Sequence, residues 1–123
     1  MLRGHRDLRA YQLAHRLAMQ IFDASKRFPL EERYSLTDQV RRSSRSVAAN
    51  VAEGFRKRQY PNMFSAKMAG ADAEATETQV WLDFAFECAY IREDVHKQLI
   101  ADYEQLGKML GKMIAEARKF TPA

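Results

Sequence analysis

Residues 39–55 read QVRRSSRSVAANVAEGF, and the spacing within them decides the fold. Leu36, Val40, Ser43, Val47, Asn50 and Gly54 follow one another at steps of four and three. That rhythm marks one face of an α-helix. Most of the face is small, so a neighbouring helix can approach closely. Ser35 and Asp38 have the S-x-x-D spacing of a capping box, which predicts the helix start. Gly54 suits the left-handed position just past a helix, which predicts its end. The flank carries Arg41, Arg42 and Arg45, and Arg56, Lys57 and Arg58 follow at once.

The same periodicity extends outward in both directions. Over residues 7–26, Leu8, Tyr11, Ala14, Ala18, Ile21 and Ser25 share one face. Phe28-Pro29 ends that segment, because the residue before proline avoids helical geometry. Pro61 suits the first position of a third helix. From there Phe64, Met68, Ala71, Ala75, Thr78, Leu82, Ala85 and Ala89 keep heptad steps, the rhythm of near-parallel bundle packing. A fourth helix is predicted near Arg92, where Glu93 and Asp94 oppose its positive end. Leu99, Leu106, Leu110, Met113 and Ala117 make its stripe. No stretch alternates as a strand does. The expectation is one all-α domain over residues 1–123, an antiparallel up-down-up-down four-helix bundle.

A chain of 123 residues can bury a core without disulfide or metal staples. The lone Cys88 excludes an intramolecular disulfide, and its helical setting predicts a buried small side chain. No apolar run approaches the ~20 residues of a membrane span, and residues 1–12 lack the apolar core of a signal peptide. A cytoplasmic protein with no membrane contact is expected. The net charge of +4 is uneven: residues 1–58 carry 13 Lys/Arg against 6 Asp/Glu, and residues 59–123 carry 7 against 10. A basic front half suits a polyanion such as nucleic acid. It equally suits pairing with the acids of residues 59–91 inside the fold.

Catalytic constellations are missing from the pattern. A di-metal bundle site needs two Glu-x-x-His pairs and two further glutamates, and Glu93-x-x-His96 is the only such pair. The Arg-x4-His spacing of helical ribonucleases is not met: Arg92 and His96 have three residues between them, Arg9 and His15 five. The glycines form no phosphate-cradling loop. No enzyme activity, metal, cofactor or small-molecule substrate is expected. Glu74 and Glu77 are placed to form interhelical ion pairs with Arg41, Arg42 and Arg45. Asn50, on the core stripe, is expected to hydrogen-bond across the bundle and set register. Trp81, Phe84, Phe86 and Tyr90 leave the core face of the third helix. A helix apolar on more than one face buries more than one, so a subunit interface is expected.

The run SVAANVAEGF at 46–55, which includes Glu53 and Gly54, resembles the S-V-x-x-N-I-A-E-G-F signature of the four helix bundle protein family. That family is also called the 23S ribosomal RNA intervening-sequence protein family. Further matches are Phe28-Pro29, Glu31-Glu32-Arg33-Tyr34, the run LTDQVRR at 36–42, Glu77-Thr78-Gln79 and Trp81-Leu82. Ser43 stands where the family often has alanine, and the AGADAEATETQ run at 69–79 replaces a bulkier, leucine-containing one. The resemblance implies an antiparallel bundle that assembles as a homopentamer. The chain is also similar to the accessory variability determinant of diversity-generating retroelements, a basic pentamer that binds nucleic acid and a reverse transcriptase. Two functional readings follow. In the first, an oligomeric scaffold binds structured RNA, or an RNA–protein complex, through Arg41, Arg42, Arg45, Arg56, Lys57 and Arg58. In the second, internal ion pairs consume those residues and the scaffold binds only protein.

Overall fold

A computed structural model describes residues 2–122. Four α-helices carry the chain: α1 (Arg9–Ser25), α2 (Leu36–Arg56), α3 (Pro61–Glu87) and α4 (Glu93–Ala115). Short 3-10 turns at His5–Asp7, Leu30–Glu32 and Ala117–Phe120 flank them. Facing contacts descend along α3 as they climb α2, from Arg42 and Ser43 through Asn50 to Glu53. Arg42 meets Glu77, Ser43 meets Thr78, Asn50 meets Gly70 and Glu53 meets Lys67. Arg41 reaches back to Ser25 on α1, Asp83 of α3 bonds His96 of α4, and Arg16 of α1 lies beside Asp102 of α4. With the short connections, these pairs place every sequential neighbour antiparallel, which is the predicted up-down-up-down bundle.

The third-helix heptad reads as expected: Phe64, Met68, Ala71, Ala75, Thr78, Leu82 and Ala85 are all buried. They meet Leu17, Ile21, Val40, Val47, Val51, Leu106 and Leu110, each fully buried. Burying a side chain of this size contributes about 1.5–3 kcal/mol, so this axis carries the stability. The hydroxyls of Ser43 and Thr78 share a hydrogen bond of 2.8 Å within it, and Thr78 also donates to the Glu74 carbonyl at 2.8 Å. Two buried polar groups are thereby satisfied against each other. Tyr103 also sits in the core, fully buried, with no partner for its hydroxyl among the described residues. Burial drives its phenol well above the ordinary ionisation range.

Several local expectations are corrected. Gly54 does not stop α2; it lies inside the helix with an ordinary φ, buried against α3. A Cβ there would stand 2.6 Å from Met68 Cε and 3.0 Å from Lys67 Cβ, so close helix approach is what requires glycine. Asn50 is half-buried and donates to the carbonyl and hydroxyl of Ser46, one turn back on its own helix (2.9 and 3.2 Å), rather than across the bundle. Its Oδ1 faces Gly70, where a Cβ would stand 3.3 Å away, so register enters through that fit. Cys88 is exposed, because α3 ends at Glu87 and turns away from the core there.

The end of α3 is a Schellman turn. The Tyr90 N–H bonds the Ala85 carbonyl at 2.8 Å, and Ala89 takes φ 62°. An L-residue with a Cβ pays about 1–2 kcal/mol for that conformation. Ala89→Gly is therefore expected to stabilise the protein by about 1 kcal/mol, read as a higher urea midpoint at unchanged slope. An unchanged or lower midpoint contradicts the strain.

Glu32 performs the capping that Ser35 and Asp38 were expected to share. It accepts from the Ser35 hydroxyl (2.5 Å), the Leu36 N–H (3.4 Å) and the Tyr90 hydroxyl (2.9 Å), tying the α1–α2 connection to the end of α3. The bonds from Ser35 and then Tyr90 hold the Glu32 carboxyl below its ordinary value. The same bond, with burial and nearby negative charge, pushes the Tyr90 phenol up to about 12. An unfolded tyrosine ionises near about 10. Between those values the unfolded chain has released a proton that the folded chain keeps, so stability present below pH ~10 is lost as pH rises through about 12. On the acid side the sign reverses: stability present above the ordinary glutamate value is lost as pH falls through the lowered one. Glu32→Gln is expected to bring the Tyr90 midpoint down toward ~10 in an ultraviolet titration, with Tyr90→Phe identifying the signal. The same midpoint in both proteins contradicts the linkage.

Candidate nucleic-acid interface

Antiparallel packing gathers the start of α1, the end of α2, the start of α3 and the end of α4 at one end of the bundle. Arg3, Arg6 and Arg9 arrive with the first, Arg56, Lys57 and Arg58 with the second, and Lys112, Arg118 and Lys119 with the last. The acids at this end are engaged. Asp7 accepts from the backbone N–H of Arg3 (2.8 Å) and Gly4 (3.4 Å), folding the preceding segment back. Glu53 pairs with Lys67 at 2.9 Å and Glu116 with Lys119 at 3.4 Å. Arg3, Arg6, Arg56 and Lys57 are exposed and have no carboxylate partner among the described residues. Arg58 is half-buried: its guanidinium lies 4.1 Å over the Phe55 ring and donates to the Phe55 carbonyl at 3.0 Å, capping α2.

The three arginines earlier on α2 separate. Successive helical residues point about 100° apart, so only one of them faces α3. Arg42 does so, pairing with Glu74 at 3.5 Å and more closely with Glu77, which also accepts from the Trp81 indole N–H at 3.0 Å. Arg41 and Arg45, one turn apart, turn toward α1 and lie 4.7 and 5.8 Å over the Phe22 ring. Arg41 also donates from Nε to the Ser25 hydroxyl at 2.8 Å. The expected ion-pair network is thus a single arginine on two glutamates. These groups are partly exposed, so each pair contributes about 0–1 kcal/mol.

The aromatic residues divide likewise. Phe86 stacks on the His96 ring at 4.5 Å, and His96 bonds Asp83 at 2.8 Å; both contacts join α3 to α4. Trp81 is half-buried beside Phe84, which is 54% exposed. With Tyr34, 85% exposed, and Leu36 they line an apolar groove of about 410 Å³ between α2 and α3. Among the described residues no three His, Cys, Asp or Glu side chains gather as a metal set, and no helix is both long and apolar enough to cross a membrane.

The residues before α1 are the part of the cationic end that α2 alone does not announce. The signal for them is topological: in an up-down bundle the start of the first helix lies beside the end of the second. Arg3 and Arg6 are therefore brought to Arg56 and Arg58.

The architecture is that of an antiparallel helical bundle with one strongly cationic end and an exposed aromatic groove. Residues 6–112 match the 23S rRNA-intervening sequence protein family, and the chain belongs to that family. Among solved structures, a protein with unknown function from the S23 ribosomal protein family of Bacteroides thetaiotaomicron superposes with a TM-score of 0.76 at 25% identity. The match covers 85% of this chain and 97% of that one. No curated protein matches.

Proposed function

We propose that this protein is a non-enzymatic, oligomeric helical scaffold that binds structured RNA, or an RNA–protein complex, through the cationic end of its bundle. The observation that carries this reading is the clustering of Arg3, Arg6, Arg56 and Lys57, exposed and without carboxylate partners among the described residues. Helix-terminal neutralisation does not account for so many cations, since a helix end carries only about half a charge. The family's name ties its members to 23S rRNA, which is consistent with a polyanionic partner. Arg41 and Arg45 extend the basic surface along α2, while Arg42 is engaged inside the protomer.

Assembly is the second half of the proposal. Phe84 and Tyr34 expose apolar rings that a copy of the same chain would cover, and family resemblance makes five copies the expected number. A symmetric assembly repeats the cationic end, so weak phosphate contacts add as avidity. Sedimentation velocity tests both halves together. The wild type is expected to sediment as an oligomer that carries a structured RNA with it at low salt. Phe84→Glu is expected to sediment as a monomer and to lose at least about tenfold in RNA affinity. A monomeric wild type removes the assembly. The exposed groove also favours a second reading, a scaffold for protein partners alone. An oligomer that leaves RNA behind at low salt supports that reading instead.

A further inference from the structure

The cationic end holds a cleft of about 450 Å³ between the segment before α1 and the end of α2, lined by Arg3, His5, Arg6, Glu53, Arg56 and Arg58. Resting on the RNA-binding reading above, we propose that this cleft takes the terminal phosphate monoester of an RNA strand.

The backbone before α1 and the side chains of His5 and Arg58 are held in place around the cleft. Asp7 fixes the backbone of Arg3 and Gly4. Gln12 donates to the Arg6 carbonyl at 2.8 Å, fixing the next turn. His5 packs edge-on against Tyr11, with ring centroids 4.8 Å apart. Arg58 is held on Phe55 and on the last turn of α2. Among the described residues Glu53 is the carboxylate on the rim, and it is paired with Lys67.

The charge balance selects the ligand. The C-terminus of α2 presents about half a negative charge to the cleft, and Arg58 on the Phe55 carbonyl offsets it. Arg3, Arg6 and Arg56 remain as surplus around a single cavity. A phosphodiester brings one negative charge, and a basic stripe serves a chain of them better than a cleft does. A phosphate monoester brings about −1.5 to −2 charge and three strong acceptor oxygens at one point. Guanidinium groups meet such an acceptor with paired, charge-assisted hydrogen bonds. Three surplus arginines lining one cleft therefore match a strand end better than a strand interior.

Fluorescence anisotropy at moderate salt tests this with one internally labelled RNA sequence made in three forms: 5′-phosphate, 3′-phosphate, and hydroxyl at both ends. One phosphorylated form is expected to bind about tenfold tighter than the hydroxyl form, and which one identifies the strand end. Arg56→Gln and Arg3→Gln, both at exposed positions, are expected to weaken all three RNAs through the lost charge and to bring the ratio between phosphorylated and hydroxyl forms to about one. Equal affinity for all three RNAs overturns the inference and leaves the RNA-binding reading standing. A preference that survives in both variants places the phosphate elsewhere and also overturns it. Failure of every form to bind at low salt removes the RNA-binding reading together with the inference.

Discussion

Replacing Arg56 and Lys57 together by glutamate is expected to lower affinity for structured RNA by about a hundredfold or more near physiological salt. Each phosphate contact releases counterions from the RNA, so losing contacts costs affinity in multiplicative steps. Reversal goes further than removal, because each new carboxylate repels the strand. Both side chains are exposed and neither pairs with an acid among the described residues. The fold loses little, since a glutamate in the last turn of α2 opposes the helix dipole by about 0.3–1 kcal/mol per site. Circular dichroism should show unchanged helix content. Arg92→Glu, at an exposed site at the other end of the bundle, serves as the control and should bind RNA as the wild type does. The control changes net charge by about half as much as the double variant, so a loss in log affinity about half as large would mean that net charge, not the cationic end, governs binding.

Gly54→Leu is expected to produce the largest loss of stability. The space beside Gly54 is filled by Met68, itself fully buried, and by Lys67 Cβ on the facing helix. A Cβ at 2.6 Å from Met68 Cε forces Met68 out of its place, and the longer side chain then meets α3 itself. Overpacking of this kind typically costs 1–3 kcal/mol, and a leucine at a helix–helix contact belongs at or above about 3. Removing a helical glycine returns only about 0.5–1 kcal/mol. Gly54→Ala should therefore destabilise mildly, and pairing it with Met68→Ala should recover part of the loss as coupling between touching residues. Urea unfolding measures all three, and a Gly54→Leu protein as stable as the wild type would mean that α2 and α3 do not pack closely there.

Much of the fold is legible in the residues because the core stripes are long and regular. The third-helix stripe, from Phe64 to Ala85, is buried position for position. Gly54 misleads because a glycine that ends a helix and one that admits a neighbour look alike in a single sequence; only the presence of Met68 separates them. Ala89 gives no warning, since alanine is a strong helix former, yet the chain reverses at that point. Tyr103 is absent from the predicted fourth stripe although it completes the steps of four and three from Leu99 to Leu106, and packing buries it whole. The ion-pair expectation treats Arg41, Arg42 and Arg45 alike, although they point to different neighbours. The site is half legible: the Arg56–Arg58 cluster is contiguous, but its junction with Arg3 and Arg6 exists only once the helices are antiparallel.

The salt dependence of RNA binding counts the phosphate contacts that the cationic end makes. If cationic side chains of the bundle end neutralise phosphates, log affinity should fall linearly with log salt concentration, at a slope of about −3 or steeper, and the slope should flatten in Arg56→Glu/Lys57→Glu. A wild-type affinity that stays level across the salt series, or the absence of binding at its low end, would mean that the cationic end does not hold phosphates.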